Sequence, residues 1–477
     1  MADVSDPKAP PTAPDALNTA RLAARLERLP LTRFHYKLLA AGGLGYTFDA
    51  MDGAIVAFIL PAVTKQWHLS AGQTGILGSS LLIGYLFGAL GAGILGDRLG
   101  RRVVMISALG VYCVASLVAA SAPNFWVLFA ARVIAGLGTG AESSIIAPYL
   151  SEFVPSRFRG RYIGSLAGFF AFGYVFASLL GYFVVGELAN GWRWVQVISA
   201  LPILMVLWWR RGLPESPRFL QVRGRTDEAD AIVTDIERRA LARGCELLPA
   251  IEVVGSDSAP YAREVPPGGV VDGLRALVRG GMRRTSLTTW AYWFVAIFTY
   301  YGFFTWIPSL LVAQGYSISK SFMFTIAIYL AQIPGYYSAA FISEWLERKW
   351  TIVVYLGGAG VGALGLAFAG SATEIVLWGM LLSFFMNGNA ALEYTYTSEI
   401  YPTAIRATGL GVASAIGRIG GIIAPIAIGF SYASIGFGGV FTMLLILLVA
   451  GAVLVAVFGQ RTNGRALESI GHGTITR

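Results

Sequence analysis

The chain has 477 residues, of which 55% are hydrophobic and only 13% charged. Soluble domains of that composition would lack the polar residues to cover their surface, so a polytopic membrane protein is expected. The net charge of +9 does not point to nucleic acid, because the basic residues are spread over short loops between apolar runs.

Residues 1–37 are polar and rich in Pro and Ala, without the charged n-region and short apolar core of a cleavable signal peptide. Apolar windows then place spans 1 to 6 at about 38–63, 74–95, 103–122, 125–150, 162–186 and 195–209. A charged segment, 210–286, follows, with Thr226 and Asp227 as helix-start chemistry before an amphipathic run. It ends in "GLRALVRGGMRR", whose basic residues suit anionic lipid headgroups. The segment reads as a solvated linker with short amphipathic surface helices. Spans 7 to 12 are expected at about 287–312, 321–342, 350–370, 374–396, 407–432 and 436–458, before a tail, 459–477. The fold class is therefore an all-α membrane protein, with two six-helix bundles at 38–209 and 287–458. The 58 glycines fit it, since small residues let membrane helices approach closely. Cys113 and Cys245 cannot form a disulfide framework and read as structural thiols.

Lys and Arg concentrate in both tails, in the loops after spans 2, 4, 8 and 10, and in the linker. The exceptions are Lys65, Arg193 and Lys320, with Arg132 and Arg418 inside spans. The positive-inside rule thus expects both termini in the cytoplasm.

"YLSEFVPSRFR" (149–159) returns as "YTSEIYPTAIR" (396–406), an offset of 247 residues. The same offset carries "GDRLGRR" (96–102) onto "SEWLERK" (343–349). One register across two polar motifs marks a duplicated six-helix unit with a gate in each copy. The gate residues are Asp97, Arg101, Arg102, Glu152 and Arg159, repeated as Glu344, Arg348, Glu399 and Arg406. Within each copy Asp97 is expected with Arg101 and Arg102, and Glu152 with Arg159; Glu344 is expected with Arg348, and Glu399 with Arg406. Parallel repeats about a midplane site are a transporter architecture.

"GDRLGRR" and "RVIAGLGTG" (132–140) resemble signature motifs of the major facilitator superfamily, and the resemblance runs from about residue 33 to 468. "PESPRFL", the two Y-x-S-E copies and "TNGRALE" look like the branch of sugar porters, organic anion and cation transporters and metabolite:proton symporters. Span 7 reads "FTYYGFFTWIPSLL" in place of the sugar porters' Gln pair. "FDAMD" (48–52) is similar to span 1 of aromatic-acid and niacin-type proton symporters, and "ASAIGRIGGIIAP" (413–425) to span 11 of organic-anion carriers. The resemblance implies alternating access between two rocking bundles.

Ionisable side chains inside spans are costly and are expected to face a cavity or a partner. Six qualify, and none has a charged mate at the 247-residue offset: Asp49, Asp52, Arg132, Glu142, Glu393 and Arg418. Asp49 and Asp52 share a helix face, so either they carry a coupling proton or one is a permanent partner of Arg132. Glu142 lies nearer the termini side of span 4 and suits the loop network as well as coupling. Arg418 offers a planar fork for a carboxylate, or a permanent pair with Glu393. Tyr300, Tyr301, Phe304 and Trp306 crowd a segment broken by Gly302 and Pro308, as ring-stacking ligand contacts or as packing. Gln332, Asn387 and Asn389 are polar candidates at similar depth.

No P-loop, metal cluster or nucleophile triad is present in the sequence, so no enzyme, cofactor or metal is expected. The expected function is proton-coupled import of a small organic anion, an aromatic or heteroaromatic carboxylate, by a monomer in the plasma (inner) membrane. Its partners are the anion, protons and the bilayer. The rival readings are a proton-driven drug or metabolite efflux antiporter, a sugar or polyol porter, and a non-transporting receptor on the same scaffold.

Overall fold

The computed structural model describes residues 21–461 apart from 23, 243, 246, 249–268, 281, 403 and 404. At some positions, Asp97 and Glu344 among them, it describes the backbone alone. Most of the expected N-terminal tail, the middle of the linker and the tail beyond 461 lie outside the described residues.

Among the described residues nine helices are long and apolar enough to cross a membrane. Spans 1 to 5 are Arg33–Trp67, Ala71–Leu99, Arg101–Ala120, Phe125–Ser151 and Ser156–Leu180, the last running into a π-helical turn at Gly181–Val185. Span 6 is split into Gly191–Ser199 and Ile203–Gly212. Span 7 is Met282–Ala313, and span 8 is split into Ile318–Leu330 and Gln332–Leu346. Spans 9 and 10 are Arg348–Ala367 and Ala372–Ile400. Spans 11 and 12 form one helical run, Arg406–Phe458, interrupted only at Gly436 (φ 63°). Twelve spans are thus present, with two breaks that apolar windows did not reveal. Pro202 and Pro334 lie at those breaks, where a missing N–H and a ring clash interrupt the helical ladder.

The duplication is written in the backbone. Ser70 caps span 2 by accepting from Gln73 N, and Ser317 caps span 8 from Lys320 N. Asn124 and Ser371 do the same for spans 4 and 10. Left-handed His68 (φ 52°) maps onto Gly315 (φ 91°), and Gly100 (φ 101°) onto Glu347 (φ 76°).

Alternate glycines of "RVIAGLGTG" seat the neighbours of span 4. A Cβ on Gly136 or Gly140 would lie 2.0 or 2.3 Å from a carbonyl oxygen of span 2, and one on Gly138 would lie 2.6 Å from Ala108 O of span 3. Backbones this close fix Arg132 and Glu142 in depth and azimuth.

The bundles meet on the side away from the termini. Ser79 Oγ donates to Ile422 O (2.6 Å), Ser319 Oγ to Gly186 O (3.3 Å), and Phe58 packs edge-on against Phe322 and Tyr329. On the termini side a Cβ added to Gly91 or Gly93 in span 2, Gly164 in span 5 or Gly411 in span 11 meets nothing within 4 Å. The cleft between the bundles opens there.

The linker is not merely solvated, which corrects the expectation. Ala229, Val233 and Ile236 of helix Thr226–Leu241 are buried in one cluster with Leu22, Leu26 and Leu29, the chain ahead of span 1. Glu237 takes Arg25 (2.6 Å) and Arg28 (2.8 Å), and Asp230 also pairs with Arg25. Glu27 accepts from Ser156 N (2.7 Å) and Oγ (2.8 Å), so it caps span 5 from outside that helix.

Candidate functional site

Two polar centres face each other across the cleft. In the first bundle Arg132 and Asp52 are fully buried, with Arg132 Nη1 donating to Asp52 Oδ1 (2.6 Å) and Gln196 Oε1 (3.3 Å). Arg132 Nη2 donates to the Asp52 carbonyl (2.8 Å), which fixes the guanidinium on both sides. Asp49, one turn earlier, is buried, and among the described residues neither carboxyl oxygen has a hydrogen-bond partner. Both carboxyl oxygens of Glu142 are likewise unpartnered and fully buried.

Glu142 belongs with the aspartates and not with the loop network, because Gly45 opens a slot for it. A Cβ at Gly45 would stand 2.7 Å from Glu142 Oε1. Asp49 lies in the field of both Glu142 and Asp52. Of these three carboxyl groups only Asp52 is paired with the guanidinium. Two buried carboxylates without donors would be strongly disfavoured, and each proton taken up by the pair removes one uncompensated charge.

In the second bundle Arg418 lies over the Tyr85 ring (Cζ to centroid 4.2 Å), with Tyr301 and Tyr394 as its other neighbours. Among the described residues it has no ion pair. Glu393 goes elsewhere: Asn389 Nδ2 donates to it (3.2 Å), and Tyr292 OH donates to Asn389 Oδ1 (2.9 Å). The structure does not bring Glu393 and Arg418 together. Tyr394 lies in the last third of span 10 and its ring packs edge-on against Trp293 at 5.0 Å, yet it is 52% exposed. With Tyr46 and Tyr85 of the opposite bundle as neighbours, that exposure is to the cleft.

The span 7 aromatics divide. Tyr300 packs on Phe304 (4.6 Å) and Tyr301 (5.4 Å), in a cluster that includes Tyr174 and Tyr329 and links the bundles. Trp306 is committed to packing: its indole donates to Pro425 O (3.0 Å) and stacks near Tyr432. Asn387 donates to Ser383 O of its own helix. Gln332 sits at the break in span 8, buried, with its amide nitrogen unpartnered. Tyr46, Tyr85, Tyr394 and Gln196 were missed by sequence reasoning. Uncharged side chains carry no cost signal within an apolar run, and only the flanking Gly84 and Gly88 hinted at a close approach around Tyr85.

The gate pairs of Glu152 and Glu399 differ from expectation. Glu152 pairs with Arg101 (3.6 Å) and Glu399 with Arg348 (3.2 Å), so each links the end of its helix to the start of the third or ninth span. Arg101 and Arg348 also donate to the carbonyls of Gly96 and Ser343. Arg159 and Arg406 turn back to the carbonyls of Val154 and Tyr401, and Arg159 pairs with Glu27 (3.5 Å). The backbone folds each of them onto its own loop. Arg102 N donates to Glu215 of "PESPRFL" (3.2 Å), and the side chains of Asp97 and Glu344 lie outside the described residues. Tyr149 and Tyr396 hold the exits of spans 6 and 12, donating to Pro214 O (2.6 Å) and Gln460 O (3.0 Å).

Comparison with known proteins agrees with this construction. The family described as "Sugar (and other) transporter" matches residues 41–473. The "Niacin transporter NiaP" of Acinetobacter baylyi is 41% identical over 451 residues, covering 94% of this chain and 99% of the relative. The "Putative niacin/nicotinamide transporter NiaP" of Bacillus subtilis is 33% identical, covering 91% and 98%. In fold, the partially occluded inward-open xylose transporter XylE of E. coli superposes with a TM-score of 0.71 at 19% identity, covering 91% of this chain and 100% of that one. The inward-facing bacterial homolog of the lysosomal transporter Spinster gives 0.67 at 16%, covering 90% and 96%. The chain is a multi-pass membrane transporter of small organic metabolites and belongs to the sugar (and other) transporter family of the major facilitator superfamily.

Proposed function

We propose that the chain is a proton-coupled symporter importing an aromatic or heteroaromatic carboxylate of the pyridine-carboxylate kind, with both termini cytoplasmic. The observation that carries the reading is Arg418, a guanidinium without a carboxylate partner among the described residues, surrounded by Tyr85, Tyr301 and Tyr394 at the cleft. A planar fork binds a carboxylate in two bonds, and tyrosine faces and hydroxyls suit a flat ring with polar edges. The relatives named for niacin support that substrate class. Coupling is assigned to Asp49 and Glu142, whose carboxyl groups have no donors, with Arg132 holding Asp52.

Proteoliposomes with labelled nicotinate and nicotinamide test this. Nicotinate is expected to accumulate only when the side of addition is acidic, and a protonophore should abolish accumulation. Nicotinamide should be taken up far less. Equal uptake of the two would remove the anion reading, and accumulation of nicotinate without a gradient would remove the coupling.

A further inference from the structure

Outside the transport path, a crevice of about 290 Å³ opens between the start of span 1, the exit of span 6 and linker helix Thr226–Leu241. Arg33, Lys37 and Arg239 line it together with Trp208, Leu38 and Ala41, and among the described residues no carboxylate does. Arg33 and Lys37 are four residues apart on the first turns of span 1, so they stand on one face of it. Arg239 reaches the crevice from a separate element, with Asp235 shared between it and Arg238 at 2.5 Å each. One carboxylate for two guanidiniums leaves the mouth cationic.

The surroundings decide what anion belongs there. The exposed face of span 1 continues from Tyr36 through Ala40 to Leu44, and span 6 presents Leu204 and Trp208 beside it. These strips lead from the cationic mouth along two helices into the depth of the bilayer, and Trp208 and Tyr36 sit at the interface end, where amphipathic rings are favoured. A free phosphate would gain nothing from the strips, whereas a diacyl anion would use both.

We propose that this crevice is a binding site for the phosphate headgroup of an anionic phospholipid, with its acyl chains laid along spans 1 and 6. The site does not depend on the transported substrate. It joins three elements that otherwise meet little: the first span, the end of the bundle's last span, and the linker helix that packs on the chain ahead of span 1.

Native mass spectrometry of the full-length protein in detergent, with phosphatidylglycerol and phosphatidylcholine of matched acyl chains, tests it. The wild type should retain phosphatidylglycerol in preference. Each cation near an anionic surface contributes about a fivefold factor, so Arg33→Gln with Lys37→Gln should lower retention about 25-fold and Arg239→Gln about fivefold. Arg225→Gln, a linker arginine outside the crevice, should change nothing. Should the double variant not be monodisperse, the Arg239→Gln variant decides by its own criterion, because it lies outside the spans. Undiminished phosphatidylglycerol retention in the variants, or equal retention of phosphatidylcholine by the wild type, overturns the proposal. Displacement of the lipid by millimolar inorganic phosphate also overturns it, in favour of a free-phosphate site.

Discussion

The two bundles share their hinges and divide their chemistry. Caps, gate arginines, gate glutamates and exit tyrosines recur at one offset with the same partners: Arg101 on Gly96 O and Arg348 on Ser343 O, Glu152 on Arg101 and Glu399 on Arg348. The interiors do not recur. The first bundle holds an Arg132–Asp52 pair beside two carboxyl groups without partners among the described residues, and the second holds an arginine among tyrosines with its glutamate turned to Asn389. A rocking motion needs its clamps twice, once per half. Under the proposed coupling a proton site and an anion site are needed once, and placing them in opposite bundles would let closure of the cleft join them.

The largest expected effects test that division of labour. Arg418→Ala should abolish nicotinate binding as well as transport, a loss of about 2–5 kcal/mol for truncating one partner of a buried charge pair. Arg418→Lys should recover only part of it, since a point charge cannot replace the fork. Asp49→Asn with Glu142→Gln should do the reverse: binding and exchange of internal for external nicotinate persist, while uphill accumulation is lost. Calorimetric binding beside counterflow and gradient-driven uptake separates the two. If the carboxyl variant loses binding and the arginine variant keeps it, the division fails.

The shared half of this comparison was legible in outline, because repeated gate charges and apolar windows are local signals. The unshared half was legible only where it carried charge. Asp49, Asp52, Arg132 and Arg418 stood out by their cost in a span, while Tyr85 and Tyr394 did not. Glu142 was left open between coupling and the loop network because the neighbour that decides it is Gly45, a residue without a side chain. The gate pairs were permuted for a related reason: spacing puts Glu152 and Arg159 close in sequence, but the loop turns Arg159 back on Val154 O and leaves Glu152 for Arg101. The docked linker needed a partner, Leu22 to Leu29, that no pattern within the linker names.

A smaller effect is expected where the duplicated hinge itself differs. Gly100 and Glu347 occupy one region of backbone space, φ 101° and ψ 149° against φ 76° and ψ 143°, a region that side chains rarely enter. At Gly100 the room is taken by Glu215, whose Oε2 would stand 2.5 Å from an added Cβ. At position 347 the chain puts a carboxyl of its own, with Oε1 buried and unpartnered. Gly100→Ala should therefore destabilise, and Glu347→Gly should stabilise, each by about 1–3 kcal/mol from backbone strain. Apparent Tm in detergent should move in opposite directions for the two variants. Shifts of the same sign would mean that the two hinges are not equivalent.

The smallest expected effect lies in a feature seen, among the described residues, in the first half alone, the clasp of Arg25 and Arg28 on Glu237. Burial pushes the Glu237 carboxyl up, but hydrogen bonds from Arg25 and Arg28 outweigh it and hold the group below the ordinary glutamate value of 4.5. The folded protein thus binds this proton less readily than the unfolded chain. The stabilisation is fully present above about pH 4.5, the unfolded value, and is lost as pH falls through the depressed folded value. The clasp is therefore closed throughout the neutral range and is no part of the coupling pH response. Glu237→Gln should lower the apparent Tm by a near-constant amount from pH 7 down to about pH 5, and the difference from wild type should then shrink toward zero on further acidification. The effect should be modest, because Asp230 still holds Arg25 and the Leu22, Leu26 and Leu29 contacts remain. A difference that grows on acidification would reverse the sign and show that burial, not the two arginines, governs Glu237.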